Sequence, residues 1–596
     1  MLHTTDALYR DALAACEQGR IEHGVAILQK ALTLAPDEAR LHDLLGKALL
    51  HLGRNDEALA SFDRAIALGS ASAGLHGSRA DVLVALNRLD EAVSSYDRAL
   101  ALDPASVSDW CNRGAVLHDL GRHEGAAESF SRAIALAPDF APARYNHGNA
   151  LSALKRYDQA IASLQQAIAL DPDYTDAHNN LANVLDQLGR HADALASSDR
   201  ALAIASDHRA ALVTRAVILR KLGRAQEALE SCDRALAMIA DDPEALMVRG
   251  DALVDLERFE EAAATFDRLI ALDPDAAGPK WNKSFICLGL GRLSEGFALY
   301  EHRWGGAKGL VSRAYSQPRW NGARVNGPLL IWGEQGLGDE ILHASMIPDL
   351  MQRTGAVTLE VEPRLVTLFA RSFPGAKVIP LGPELYAGPF VAQEPIGGLG
   401  RRFRPDWDAF PKRARGYLIA DGARTDALRQ RLDDGRTVIG LSWVSKAPIG
   451  GEQKSARLAD FAALLRAPGY RFIDLQYGDT RIEREAVERE LGMRVERLAD
   501  IDNTNDLDGL AALMGACDAV VTVSNTTAHL AGALGRPTFV MVPHGHARIW
   551  YWFRDRDESP WYPRVRVRRQ QRGQPWSELI KKVATDLGNG LHSVKG

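Results

Sequence analysis

Two strings in the C-terminal half combine residue types that can do chemistry. The first is Ser524-Asn525-Thr526-Thr527-Ala528-His529, which directly follows the apolar run Ala519–Val523. The run reads as a strand, and the residues after it as a helix beginning near Thr526. The unpaired N–H groups of a helix's first turn form a ready anion site. Thr526 and Thr527 can add hydroxyl donors, His529 lies one turn in, and Lys446 and Lys454 can supply countercharge. The second string is Gly333-Glu334-Gln335-Gly336-Leu337-Gly338-Asp339, after the run Leu329–Trp332. It is not a dinucleotide fingerprint, because Ile341 stands where the third glycine belongs, and no GxxxxGK[ST] loop is present. What remains is a tight turn that projects Asp339 from the start of a helix. Ligands of open α/β sheets sit beyond the carboxyl ends of the strands. Asp339 is therefore expected to face the Ser524–His529 turn.

Each of these residues also has a plain structural reading. Asp339 can be a helix cap, and Ser524 to Thr527 a capping cluster. His529 can be a satisfied core histidine. Lys446 fits a solvated loop lysine better than Lys454 does.

The elements that position these strings follow from periodicity. From Pro328 onward, short apolar runs alternate with helical stretches: Leu329–Trp332, Val357–Val361, Val378–Pro380, Val438–Trp443, Arg471–Leu475, Ala519–Val523 and Thr538–Val542. Alternation of this kind implies parallel sheets flanked by helices. A glycine- and proline-rich stretch, Pro383–Arg415, interrupts the series. The reading is a first lobe at 328–416, an interlobe connection at 417–434 and a second lobe at 435–590. The aromatic groups Trp550-Tyr551-Trp552 and Trp561-Tyr562 are expected to pack a C-terminal helix onto a lobe, with stacking on a base or sugar as the alternative. The run bearing Arg566, Arg568, Arg569 and Arg572 reads as a surface edge strand, with facing a ligand's phosphates as the alternative.

The N-terminal half repeats with a period of 34 residues. One slot holds Gly19, Gly53, Asn87, Gly121, Lys155, Gly189, Gly223, Glu257 and Gly291, and arginine follows it every time. Small residues recur at Gly24, Ala58, Ala92, Ala126, Ala160, Ala194, Ala228, Ala262 and Gly296. Between the slots, apolar residues fall at helical spacing. A glycine after a helix permits the left-handed residue that ends it. Nine helix pairs over 5–304 are expected, stacked as a solenoid because no unit can bury its apolar face alone, with a linker at 305–327. Asparagine recurs in one helix slot, at Asn112, Asn146, Asn180 and Asn282, with Asn149 and Asn183 three residues on. A primary amide can both donate to a C=O and accept from an N–H. These residues can hold a peptide backbone, or they can serve interhelix packing.

The 34-residue register resembles the tetratricopeptide repeat family, whose solenoids bind peptides or proteins. The asparagine row resembles that of the O-linked N-acetylglucosamine transferases, which implies an extended acceptor peptide held at Asn112, Asn146, Asn149, Asn180 and Asn183. The C-terminal half resembles the GT-B glycosyltransferases of the ADP-heptose–lipopolysaccharide heptosyltransferase type. The resemblance rests on Gly338-Asp339, on Gly440-Leu441-Ser442-Trp443 with Lys454, and on Ser524 through Pro537. It implies an α-solenoid followed by two Rossmann-like α/β lobes of GT-B type. It further implies Asp339 as acceptor base, Lys454 on the donor phosphate, and Ser524, Asn525, Thr526, Thr527 and His529 along the donor diphosphate. Ser524 stands where that family has aspartate, Thr526 where it has glycine, and the tryptophan-proline after the lysine is absent.

Composition limits the remaining choices. The 596 residues are 46% hydrophobic and 25% charged, enough for several cores. Ten of the eleven tryptophans lie at or beyond Trp281, so two differently built regions are joined. A net charge of −6 argues against nucleic acid as a partner. The five cysteines are far apart and form no metal or disulfide pattern. No apolar run spans a bilayer and no secretory signal is read, so a cytoplasmic protein is expected. The resulting expectation is a metal-independent glycosyltransferase using a nucleotide-sugar and needing no cofactor, its acceptor a protein on the solenoid. The alternative is a non-catalytic protein-binding scaffold with a degenerate transferase domain.

Overall fold

The computed structural model describes residues 2–306, 312–412, 415–447, 451–544 and 547–592. It divides into two compact units, Met1–Ala240 and Asp241–Gly596. The first unit is helical throughout, from α1 (Leu2–Glu17) to α14 (Ala225–Met238), and its helices pack as consecutive pairs. The second opens with α15 (Pro243–Asp255), α16 (Phe259–Leu272), α17 (Ala277–Gly289), α18 (Leu293–Tyr300) and the short α19 (Arg303–Gly306). Up to Tyr300 the described residues thus form the nine pairs that the 34-residue register requires.

The recurring slot shows why the register is so regular. All nine residues in it adopt a left-handed conformation: the six glycines at φ 71–76°, and Asn87, Lys155 and Glu257 at 57–59°. The left-handed residue ends one helix, and the arginine after it stands at the N-cap position of the next without a side-chain capping bond; Arg54 and Arg122 are examples. Small slots set the close approach within a pair. A Cβ on Gly296, in that slot, would lie 2.7 Å from the side chain of Leu288 on the paired helix. A further stitch was not read from the sequence. Arg113 donates to Asp97 and to Ser129, each at 2.7 Å, and Arg79 and Arg215 make the equivalent pairs with Asp63 and Ser95, and with Asp199 and Ser231.

The α/β part of the second unit holds two parallel sheets. The first lobe runs β1 (Leu329–Trp332), α20 (Leu337–Ala344), α21 (Ile347–Arg353), β2 (Val357–Val361), α22 (Val366–Ser372), β3 (Ala376–Pro380), β4 (Ala392–Pro395) and α23 (Leu399–Phe403), with strand order β3-β2-β1-β4. The second runs α24 (Gly422–Leu432), β5 (Thr437–Ser442), α25 (Ala462–Leu465), β6 (Tyr470–Asp474), α26 (Arg481–Leu491), β7 (Val495–Glu496), α27 (Leu507–Ala516), β8 (Ala519–Val523), α28 (Thr526–Ala533), β9 (Thr538–Val542), β10 (Val565–Arg569) and α29 (Trp576–His592). Its strand order is β10-β9-β8-β5-β6-β7. The chain reversal between β5 and β8 makes a switch point, where ligands of such sheets sit.

The stretch Pro383–Arg415 is not merely an interruption. It contains β4, which pairs with β1 and completes the first sheet. Its side chains are polar yet buried, because Gln393 accepts from the Trp332 indole at 2.7 Å and Glu394 pairs with Arg319. The basic run forms β10, the edge of the second sheet, as expected.

Lys155 tests the slot. It is exposed and left-handed, a conformation costing an L-residue about 1 kcal/mol that glycine adopts freely. Lys155→Gly should stabilise α10 (Tyr157–Leu170) by a few tenths of a kcal/mol, net of glycine's greater unfolded-state entropy. Hydrogen exchange of the α10 amides reads this directly, and faster exchange would contradict it.

Candidate functional site

Asp339 is the third residue of α20, with Gly336 as the N-cap. Its N–H donates to the Gly336 carbonyl at 3.0 Å, and its carboxylate accepts from the Gly336 N–H. It therefore closes the first turn from inside the helix rather than occupying the N-cap. Burial pushes its carboxyl up to about 6. The Gly336 N–H and the charge of Lys454 pull it back, and Glu334 pushes it further up. The neighbouring Glu340 is buried more deeply and is pushed up to about 8, with one oxygen accepting the Glu362 N–H at 3.0 Å.

The second lobe brings α28 against α20. The contact explains Gly338: a Cβ there would lie 3.0 Å from the ring of His529. Lys454 is buried, and its charge acts on both Asp339 and His529. The start of α20, which bears Asp339, thus meets α28 beside His529, and the charge of Lys454 acts on both residues.

His529 is 3% exposed, and burial pushes it down to about 3, so it is neutral. Its Nδ1 lies 2.8 Å from the Tyr562 hydroxyl. Its ring stacks on Trp552 at 5.2 Å and meets Tyr551 edge-on at 4.7 Å. The aromatic groups thus enclose His529, while Trp550 reaches Phe297 and Tyr300 of α18. Among the described residues they belong to a different buried cluster from the C-terminal helix, which packs on α25, β9 and β10. The shift from the expected role comes from Ser524, whose hydroxyl accepts from the Trp552 indole at 2.8 Å and anchors the aromatic strap.

Asn525 is the N-cap of α28, and its amide is taken up within the lobe. It donates to Ser442 at 2.8 Å and to the Val444 carbonyl at 3.0 Å, and accepts from Thr522 at 3.1 Å. Asn525 thus ties the β8–α28 turn to the end of β5. Thr527 is buried and Thr526 half-buried in the first turn. Lys446 is exposed.

Two residues that the sequence did not single out hold the first-lobe turn. Arg303, wholly buried, donates to both oxygens of Glu334 at 2.7 and 2.8 Å. Glu334 also accepts the Gly397 N–H at 2.8 Å. Glu334 lies one residue past the first glycine of the turn, which was the available signal. One helical turn after Asp339 lies His343, 1% exposed, with no hydrogen-bond partner for either ring nitrogen among the described residues.

The asparagine row bridges successive repeats. Asn180 donates to Asn149 at 2.8 Å and to the Tyr145 hydroxyl at 3.0 Å, Thr214 donates to Asn183 at 3.2 Å, and Asn112 to Asp81 at 3.4 Å. Asn112 and Asn183 are exposed, whereas Asn146, Asn149 and Asn180 are half-buried. The packing role is thus directly visible in these bonds.

Residues 9–73, 78–139, 213–277 and 247–301 match a family model described as tetratricopeptide repeat, and residues 148–189 and 176–206 match further models of the same repeat. The helical region is a tetratricopeptide-repeat solenoid. Protein FlbA of Caulobacter vibrioides is 35% identical over 337 residues, covering 52% of this chain and 55% of FlbA. The match thus takes in about half the length of that relative. Among solved structures, MamA is 27% identical over 28% of this chain and 90% of its own, with a TM-score of 0.26. YrrB, described as a tetratricopeptide-repeat protein with an unusual peptide-binding site, is 25% identical over 31% of this chain and 95% of its own, with a TM-score of 0.27. Among the described residues, no group of three or more His, Cys, Asp or Glu is placed to hold a metal, and no helix is long and apolar enough to cross a membrane.

Removing one partner of a buried ion pair leaves an uncompensated charge. Glu334→Gln should cost about 3–5 kcal/mol, and Arg303→Met with Glu334→Leu should cost less than Glu334→Gln alone. Urea unfolding followed by tryptophan fluorescence, sensitive to the tryptophan-rich second unit, tests the order. A double variant less stable than the single one would refute it.

Proposed function

We propose that the α/β part of the second unit is a glycosyltransferase of GT-B type, moving a sugar from a nucleotide-diphosphate donor to an acceptor, with the tetratricopeptide solenoid holding a protein acceptor. One observation carries this reading: a carboxylate, Asp339, and a buried cation, Lys454, share the lobe junction with the start of α28. Transfer from a diphosphate needs these parts. Asp339 takes the proton of the acceptor hydroxyl as that oxygen attacks the anomeric carbon, and the bond to the diphosphate breaks. Lys454 and the first N–H groups of α28 stabilise the charge that develops on the leaving group. Neutral His529, propped by Tyr562 and Trp552, shapes the junction without adding charge. The likeness of Gly338-Asp339 and Ser524–Pro537 to the heptosyltransferase motifs supports the same roles.

A second reading, a protein-binding scaffold without turnover, is favoured by the donor turn. The Ser524 hydroxyl and the Asn525 amide are both engaged inside the lobe, and no aspartate stands at position 524.

Thermal shift with a panel of nucleoside diphosphates separates the two. A ligand at 100 times its dissociation constant stabilises by about 2.7 kcal/mol. Asp339→Asn should retain that shift and lose turnover, read as nucleotide release and mass gain on an acceptor. Full transfer by Asp339→Asn, or no shift with any nucleotide, would defeat the transferase reading. The pH dependence has a definite sign. A base with its carboxyl at about 6 is protonated below that pH, so kcat/KM should fall about tenfold per unit below 6 and level off above it. A rate that is flat from pH 5 to 7 would remove Asp339 from the role of base.

A further inference from the structure

A cavity of about 540 Å³, not lined by Asp339, Lys454 or His529, lies between the last two tetratricopeptide repeats and the carboxyl ends of β9 and β10. Glu257, Phe259 and Gly289 line it from the repeats, and His544, Trp550, Arg554 and Arg572 from the second lobe. Its lining is rich in arginine and tryptophan, the residue types enriched where proteins bind proteins.

The charges in this wall do not balance. Arg554 lies over the Phe259 ring, 3.6 Å from its centroid, and pairs with Glu257 at 3.2 Å. The same Glu257 oxygen also faces His544 at 3.3 Å, so one carboxylate serves two groups. Burial lowers Arg554, as expected for a cation short of compensation. Arg569 spends its guanidinium on the carbonyls of Trp552 and Arg556 and reaches the exposed Asp557. Arg572, on the rim, is exposed and has no carboxylate within ion-pair distance among the described residues. The cavity therefore offers surplus positive charge over an aromatic floor, in a volume several times that of a phosphate.

We propose that this cavity binds an acidic polypeptide segment, with its carboxylates on Arg554 and Arg572 and its apolar side chains on the Trp550 floor. Calling that segment the flank of an acceptor protein rests on the transferase reading; the binding itself does not. The cavity shares a wall with the active junction, because Trp552 lines it and also stacks on His529 and holds Ser524. A segment seated here would lie beside the cleft in which the acceptor hydroxyl must react.

The test uses the full chain and a fluorescein-labelled twelve-residue peptide of alternating glutamate, alanine and leucine, followed by anisotropy. The acidic peptide should bind, should weaken steeply between 50 and 200 mM salt, and should not be displaced by saturating nucleoside diphosphate. Arg572→Glu, at an exposed position with no structural bond to lose, should raise Kd about tenfold, and Arg554→Gln should do so at least as strongly. Equal binding of a lysine-for-glutamate peptide, wild-type affinity in Arg572→Glu, or displacement by inorganic phosphate alone would overturn the proposal, the last by marking a small-anion pocket. Nucleotide stabilisation without acidic-peptide binding would sink this inference and leave the transferase reading standing. Peptide binding without any nucleotide effect would support the cavity and sink the transferase reading.

Discussion

Arg303 and Glu334 are two full charges withdrawn from water, and that withdrawal is tolerated only because each is met by several partners. Arg303 follows the last repeat helix, and Glu334 sits in the turn after β1. The guanidinium takes both carboxylate oxygens, lies 4.4 Å from the centroid of the Trp304 ring and donates to the Tyr300 carbonyl. The carboxylate adds the Gly397 N–H from the turn after β4. Three separate pieces of chain are thus pinned to one point. The next residue, Gln335, is left-handed at φ 63° and donates to the Tyr300 hydroxyl at 2.5 Å. That conformation costs a non-glycine residue about 1 kcal/mol, which the bond to Tyr300 helps to offset. The turn that presents Asp339 is therefore set from the repeat side, and the position of the carboxylate depends on the end of the solenoid as much as on its own lobe.

The second lobe solves the same problem with neutral groups. Gln476 accepts from the Ser442 hydroxyl and from the N–H groups of Trp443 and Val444, at 2.8–2.9 Å. Asn525 crosses from β8 to the same strand end. Both amides satisfy backbone groups freed where β5 stops, and buried groups of that kind are costly when left unpaired. Their amide chemistry is thus spent on architecture.

The repeats were legible because the period is enforced by sterics. A residue that must be left-handed and a residue that must be small leave a trace every 34 positions, and even Asn87, Lys155 and Glu257 keep the conformation that glycine usually supplies. The strands at the centres of the sheets were legible for a related reason: burial on both faces makes continuous apolar runs. β4 was not, because Gln393 and Glu394 are buried as polar residues, each with a partner more than sixty positions away in the chain. β7 has only two residues and leaves no pattern. Asp339, Lys454 and His529 could be named from their types and neighbours. The enclosure of His529 by Trp552, Tyr551 and Tyr562 could not, since those rings come from a short 3-10 segment and a turn, neither long enough to leave a periodicity.

Desolvation acts on the junction in two directions at once. The same burial that raises the Asp339 carboxyl to about 6 lowers His529 and His343 to about 3. Near neutral pH the imidazoles are uncharged, and Asp339 is acted on by the opposed charges of Lys454 and Glu334. Asp339 and Lys454 restrain each other: the cation holds the carboxyl below the value burial alone would give, and the carboxylate offsets the cation's loss of hydration. An anion arriving at Lys454 changes both terms. It takes over the compensation of the cation and places a second negative charge near Asp339, so the carboxyl rises further. A carboxylate driven upward in this way holds a proton more strongly than the empty site does. Under the proposed transferase reading, anion binding beside α28 and the basicity of Asp339 are then coupled through Lys454.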